Sequence, residues 1–173
     1  MSAIHPLPDA GVRSRTYYVA CTTAPCSECG LSTRLLALAL PPFHEILDAE
    51  SSDGTGDCGE GVPDEWQRSD ANAFLFYVEQ LPEDVQRRLE QLSPHFRLAQ
   101  SAATQSIYWT NHCEHCGALL GDHELHCEPG GAFAPSSEAA AANIELLQID
   151  QPLQAAASGY ALEPEFFRCI RKS

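Results

Sequence analysis

The 173-residue sequence predicts an α+β domain: a small mixed β-sheet with cysteine knuckles at its hairpin tips and a few short helices. Three observations carry that prediction. Two β-prone aromatic runs each lead straight into a Cys-x-x-Cys-Gly turn, a short apolar run stops at a double proline before reaching helical length, and one segment opens with a clear helix start. A content of 44% hydrophobic and 20% charged residues suits a chain that buries a core of its own.

Residues 1–13 contain Pro6, Pro8 and Gly11 without periodicity and read as a flexible N-terminal arm. The remainder, 14–173, reads as a single zinc-stapled domain. Arg15 to Cys21 is rich in β-forming residues and runs into Pro25-Cys26-Ser27-Glu28-Cys29-Gly30, a strand entering a tight turn. Thr33 to Leu40, ended by Pro41-Pro42, reads as a buried strand that completes a hairpin with the knuckle at its tip.

From Glu45 to Glu65 the chain holds eight acidic residues, four glycines and no basic residue, which predicts an acidic loop. Packing resumes with a core strand at Phe74-Leu75-Phe76-Tyr77-Val78. Pro82-Glu83-Asp84-Val85 then opens a helix to Leu92, because proline fits the first turn and acids suit its dipole, and Ser93-Pro94 ends it. Ser106-Ile107-Tyr108-Trp109-Thr110 is a second strand leading to a second knuckle, Cys113-Glu114-His115-Cys116-Gly117. Beyond it, Glu128-Pro129-Gly130-Gly131 reads as a turn and Glu138 to Asn143 as helix. Ile144 to Ile149 is either the end of that helix or a new strand, and Glu163 to Arg171 a closing helix.

Charge narrows the function classes. Asp and Glu number 24 against 10 Lys and Arg, a formal charge of -14, and no cation occurs from Leu98 to Phe167. Duplex nucleic acid is excluded as an expected partner, because phosphate contacts depend on Lys and Arg. A basic protein partner fits better. No apolar run is long enough to cross a bilayer, and Met1 to Ala20 lacks a basic start followed by an apolar stretch, so the expected location is cytoplasmic. In a reducing compartment the eight cysteines favour metal binding over disulfides.

The strongest chemical signal is the pair Cys26-x-x-Cys29-Gly30 and Cys113-x-x-Cys116-Gly117. Two thiolates three positions apart across a turn grip one ion, the glycine supplies positive φ, and two such turns complete a tetrahedron. Four sulfurs favour Zn2+, with iron the alternative for the same geometry. The knuckles are 83 residues apart, so one structural zinc per chain would staple distant segments. Four thiolates leave no position for an activated water. Pro25-Cys26-Ser27-Glu28-Cys29 also matches half of the zinc deaminase signature, but the upstream His5 lacks the His-x-Glu that signature requires.

His112, His115, His123, His126 and Cys127 fall within sixteen residues and form the candidate for a second metal site, with His123 and Cys127 on one face if that stretch is helical. Cys21 and Cys169 read as small core residues, and Cys58 falls in the acidic loop.

Tyr108 to Asp122, with Glu128 to Phe133, and Tyr17-Tyr18-Val19 through Cys29 and Leu35 to Pro42, resemble uncharacterised bacterial zinc-ribbon-like proteins with a split four-cysteine site. The resemblance covers about a third of the chain. It implies Cys26, Cys29, Cys113 and Cys116 as ligands and names no reaction. The expected function is a non-enzymatic zinc-binding protein acting as an interaction or adaptor module through an acidic surface. The alternatives are an inhibitor or immunity-type protein that mimics nucleic acid to block a basic nuclease cleft, and a metal-dependent hydrolase using the His112 to Cys127 cluster.

Overall fold

The computed structural model describes residues 10–48 and 65–173. Strands dominate, and helices are few and short, in keeping with the α+β expectation. The central hairpin joins β2 (Tyr17–Pro25) to β3 (Ser32–Leu40) in a continuous antiparallel register from Tyr18 opposite Ala39 to Pro25 opposite Ser32. Its apolar residues alternate between two cores. Tyr17, Val19, Leu36, Leu38 and Leu40 enter one, and Tyr18, Ala20, Leu35, Ala37 and Ala39 enter the other. Both faces being covered explains why β3 is apolar without alternation.

The next strand, β6 (Ala73–Gln80), decides the architecture. Its first half pairs with β3, from Leu38 opposite Leu75 to Leu40 opposite Ala73. Its second half pairs instead with β8 (Ile107–His112), Val78 opposite Trp109. One strand of each Cys-x-x-Cys hairpin, β3 from the first and β8 from the second, therefore lies along β6. The other edge of β6 carries β11 (Leu153–Leu162), with an irregularity at Ala156 and Ala157. The described order across the sheet is completed by β10 (Glu145–Ile149) and β12 (Arg171–Lys172) beyond β2, and by β1 (Val12–Ser14), β4 (Glu45–Asp48) and β5 (Glu65–Arg68) beyond β11. β7 (Phe96–Gln100) and β9 (Leu119–Leu120) flank β8.

α1 (Glu83–Leu92) starts and stops where Pro82 and Ser93 predict, and packs Val85 and Leu89 into the first core. α2 (Glu138–Ala141) is a single turn whose Ala140 amide donates to the Ser137 hydroxyl, and Glu145 to Ile149 is strand.

Three expectations need correction. Val12 and Arg13, read as part of the arm 1–13, belong to β1, where Val12 is buried and the strand is held between β11 and β4; residues 1–9 lie outside the described residues. The acidic stretch 45–65 is not loop throughout. Glu45–Asp48 and Glu65–Arg68 pair as strands, since Arg13 neutralises Glu45 and Trp66 lies under the Arg13 guanidinium. Residues 49–64, with Cys58, lie outside the described residues. The closing helix reduces to one 3-10 turn, Phe167–Cys169, because Phe166 adopts φ 64° and breaks the helical path. Two strands, β7 and β11, are not expected from the sequence at all, because they carry no strong strand signal. β11 is Leu-Gln-Ala-Ala-Ala-Ser-Gly-Tyr-Ala-Leu, poor in β-branched residues, and becomes a strand because β1 and β6 pair with it from either side.

Candidate metal centre

Cys26 and Cys29 occupy the turn between β2 and β3, and Cys113 and Cys116 the turn between β8 and β9. The two turns repeat one hydrogen-bonding scheme. Cys26 N–H donates to Leu31 O and Gly30 N–H to Cys26 O, both at 2.9 Å; Cys113 N–H donates to Ala118 O and Gly117 N–H to Cys113 O, again at 2.9 Å. Gly30 and Gly117 sit at φ 74° and 75°, the left-handed conformation the knuckle needs. Amides two residues on, Glu28 N–H and His115 N–H, aim at the Cys26 and Cys113 sulfurs at 3.4 Å.

All four Sγ atoms lie within 4.8 Å of one another, with Cys26 to Cys116 and Cys29 to Cys113 both at 3.7 Å. Four sulfurs about 2.3 Å from a shared centre would stand about 3.8 Å apart in a tetrahedron. The spacing thus fits a four-thiolate ion site. Cys26 and Cys113 are buried in the second core while Cys29 and Cys116 face solvent, so the site lies at the rim of that core.

The surroundings favour thiolate unevenly. The backbone amides of Cys116 and His115 help hold the Cys113 thiol down to about 6. At Cys116 the Ala118 amide also lowers the thiol, but desolvation and the sulfurs of Cys113, Cys26 and Cys29 outweigh it and push it up to about 12. One sulfur that ionises readily beside others that resist is what crowding four thiols together produces. A divalent cation among them would remove that mutual penalty.

Protein contacts hold the two turns in register. The Asn111 amide, buried on β8, accepts from Leu36 N–H at 2.8 Å and donates to Leu36 O at 2.9 Å. Glu114, inside the second turn, accepts from Arg34 N–H at 2.9 Å, and its own N–H donates to Thr33 Oγ1 at 3.0 Å. The Arg34 amide holds the Glu114 carboxyl below the usual carboxylate range. His115 Nε2 donates to Ser32 O at 2.9 Å. Asn111, Thr33 and Glu114 are functional positions that spacing did not flag; only a buried Asn and a buried Thr at the ends of apolar strands hinted at them.

The histidine-rich stretch is not assembled into a donor set: the four cysteines are the metal-type cluster among the described residues. His112 is buried with Nδ1 at His95 O, and His115 serves the β3 contact above. His123–Cys127 is a π-helical turn, and neither residue belongs to a donor group among the described residues. The His126 ring is stacked between Phe76 and Phe133, and burial holds it down to about 3. Cys21 and Cys169 are half-buried and pack against the two cores.

No protein-family model, curated protein or solved structure matches the chain. Its own geometry therefore carries the functional reading. No helix among the described residues is long and apolar enough to cross a membrane.

Proposed function

We propose that the chain is a non-enzymatic interaction module in which Cys26, Cys29, Cys113 and Cys116 hold one structural zinc. The observation that carries the reading is the four-sulfur cluster, whose 3.7 Å edges match a tetrahedral thiolate site. Four sulfurs favour zinc over harder ions, and a site filled by protein thiolates has no position at which water becomes a nucleophile. The ion would tie β2 and β3 to β8 and β9, adding to the contacts of Asn111 and Glu114.

The knuckle surface supports a basic protein partner. Glu28 and Glu114 are exposed beside the exposed Cys29 and Cys116. Four thiolates and one divalent ion make the chain more negative by two charges, about -16 in all. Such a surface attracts cations and repels polyphosphates.

Elemental analysis of reduced, freshly purified protein tests the metal, with one zinc per chain expected and no metal overturning the reading. The partner is tested by kinetics on a protein captured from the source cell. A basic isoelectric point and an on-rate that falls as salt rises are expected. Submicromolar, salt-sensitive binding to random duplex would instead make the knuckles a nucleic-acid reader.

A further inference from the structure

A second feature lies on the opposite side of the sheet order from the knuckles, where β1, β4 and β5 meet the Pro41 to His44 turn. In a chain of net charge -14, this corner gathers Arg13, Arg15 and Arg68 around a groove of about 340 Å³. One carboxylate, Glu45, sits among them, bonded to Arg13 Nε at 2.7 Å. Arg15 and Arg68 have no carboxylate within ion-pair distance among the described residues. Among the described residues the local balance is therefore two positive charges.

Phe43 completes the groove, and its conformation is unusual. It is 63% exposed and sits at φ 74°, a conformation that an aromatic residue adopts only at a cost. Two backbone bonds hold it there, Phe43 N–H to Ser69 O at 2.6 Å and Ser69 N–H to His44 O at 2.9 Å. The Arg68 guanidinium lies 5.0 Å from the ring centroid. The fold thus displays a large apolar ring to solvent at a backbone angle that favours glycine. Strain of this kind concentrates at binding sites.

We propose that this groove binds a phosphate monoester carried on a flat ring, the chemistry of a mononucleotide, with Arg15 and Arg68 on the phosphate and Phe43 stacked on the ring. Charge decides for the phosphate: a surplus of two cations matches a phosphate dianion better than a single carboxylate, and guanidinium forks match its oxygens. Volume decides against a bare ion, which would leave most of the groove empty. The exposed Phe43 ring suits a planar partner. Arg13 is a positioning residue, fixed between Glu45 and the Trp66 ring 4.1 Å away. The lowered Glu45 carboxyl, held by its bond to Arg13 and the charges of Arg68 and Arg15, shows the same crowding of cations. This site is separate from the cysteine cluster and does not depend on how that cluster is read.

Calorimetric titration of the full chain at low ionic strength, with adenosine monophosphate, inorganic phosphate and adenosine as probes, tests the proposal. The expected order of affinity is the monophosphate, then phosphate, then adenosine. Arg15→Gln and Arg68→Gln should each weaken the monophosphate about tenfold, the loss of one charge-assisted contact. Phe43→Gly, which keeps the backbone angle, should reduce the monophosphate to the affinity of phosphate. Circular dichroism and melting identify any variant that loses its fold, and Arg15→Gln at an exposed position serves if Arg68→Gln fails. Absence of monophosphate binding in the millimolar range, unchanged affinity in the folded arginine variants, or adenosine binding as tightly as its phosphate would each overturn the proposal.

Discussion

The side chain of Asn111 pairs with the backbone of Leu36 as a neighbouring strand would, accepting from its N–H and donating to its carbonyl. β3 already pairs with β2 through Leu36, opposite Cys21, so the amide satisfies the edge of β3 that turns toward β8. This one residue bridges the gap left where β6 passes from β3 to β8. It sets the two Cys-x-x-Cys turns face to face.

Replacing Asn111 should therefore be costly. Asn111→Ala strands two buried backbone groups, and a loss of about 2–4 kcal/mol is expected in urea unfolding. Asn111→Asp should also destabilise, because it keeps the acceptor and loses the donor to Leu36 O. A loss below 0.5 kcal/mol, roughly the level of an ordinary surface change, would contradict the bridging role.

On the proposed zinc site, replacing one of its four cysteines should damage folding. Cys26→Ser and Cys113→Ser are expected to lose bound metal and upwards of about 4 kcal/mol, since a filled site joins segments far apart in sequence. Cys127→Ser, at an exposed position outside the cluster, should retain both. Metal content and melting temperature, measured together with and without chelator, check this.

The glycines separate strain from collision. Gly30→Ala and Gly117→Ala meet open space and suffer only from positive φ, which costs about 1–2 kcal/mol each. A Cβ at Gly159 would run into the Phe76 ring. Gly159→Ala should therefore be the most damaging of the three, by about 1–3 kcal/mol of overpacking, in parallel thermal melts.

Asp122 and His126 give opposite pH slopes. Burial raises the Asp122 carboxyl to about 6 despite bonds from Tyr77 N–H and Thr110, with Tyr77 and Cys127 its titratable neighbours. Between about pH 4 and 6 the folded chain keeps a proton that the unfolded chain has released, so this contribution is lost as pH rises, by up to about 3 kcal/mol. Asp122→Asn should gain stability relative to wild type as pH goes from 4 to 7. His126 runs the other way. The unfolded imidazole takes a proton below its usual 6.5 and the folded one resists down to about 3, so stability falls with acidification through that window. His126→Phe should remove that loss, and urea titrations across pH 4–7 would show parallel curves if either reading is wrong.

Local physics made much of the fold legible. Apolar strands running into Cys-x-x-Cys-Gly are written in consecutive residues, since turn, positive φ and ligand spacing all arise within five positions. The helix from Pro82 to Ser93 was legible for the same reason. The sequence by itself thus determined two knuckles, their strands and one helix. That the knuckles meet was decided by β6 pairing with β3 and then β8, and by Asn111 reaching Leu36, contacts between residues 31 to 75 apart. Tertiary pairing also made a strand of the Ala-rich β11 and turned Glu45–Asp48 from expected loop into sheet, because hydrogen bonds from neighbours and the charge of Arg13 outweighed weak or contrary propensity. The arginine corner belongs to the same class. Arg13 and Arg68 look like scattered surface charges until β1, β4 and β5 lie side by side and concentrate them within Coulombic reach.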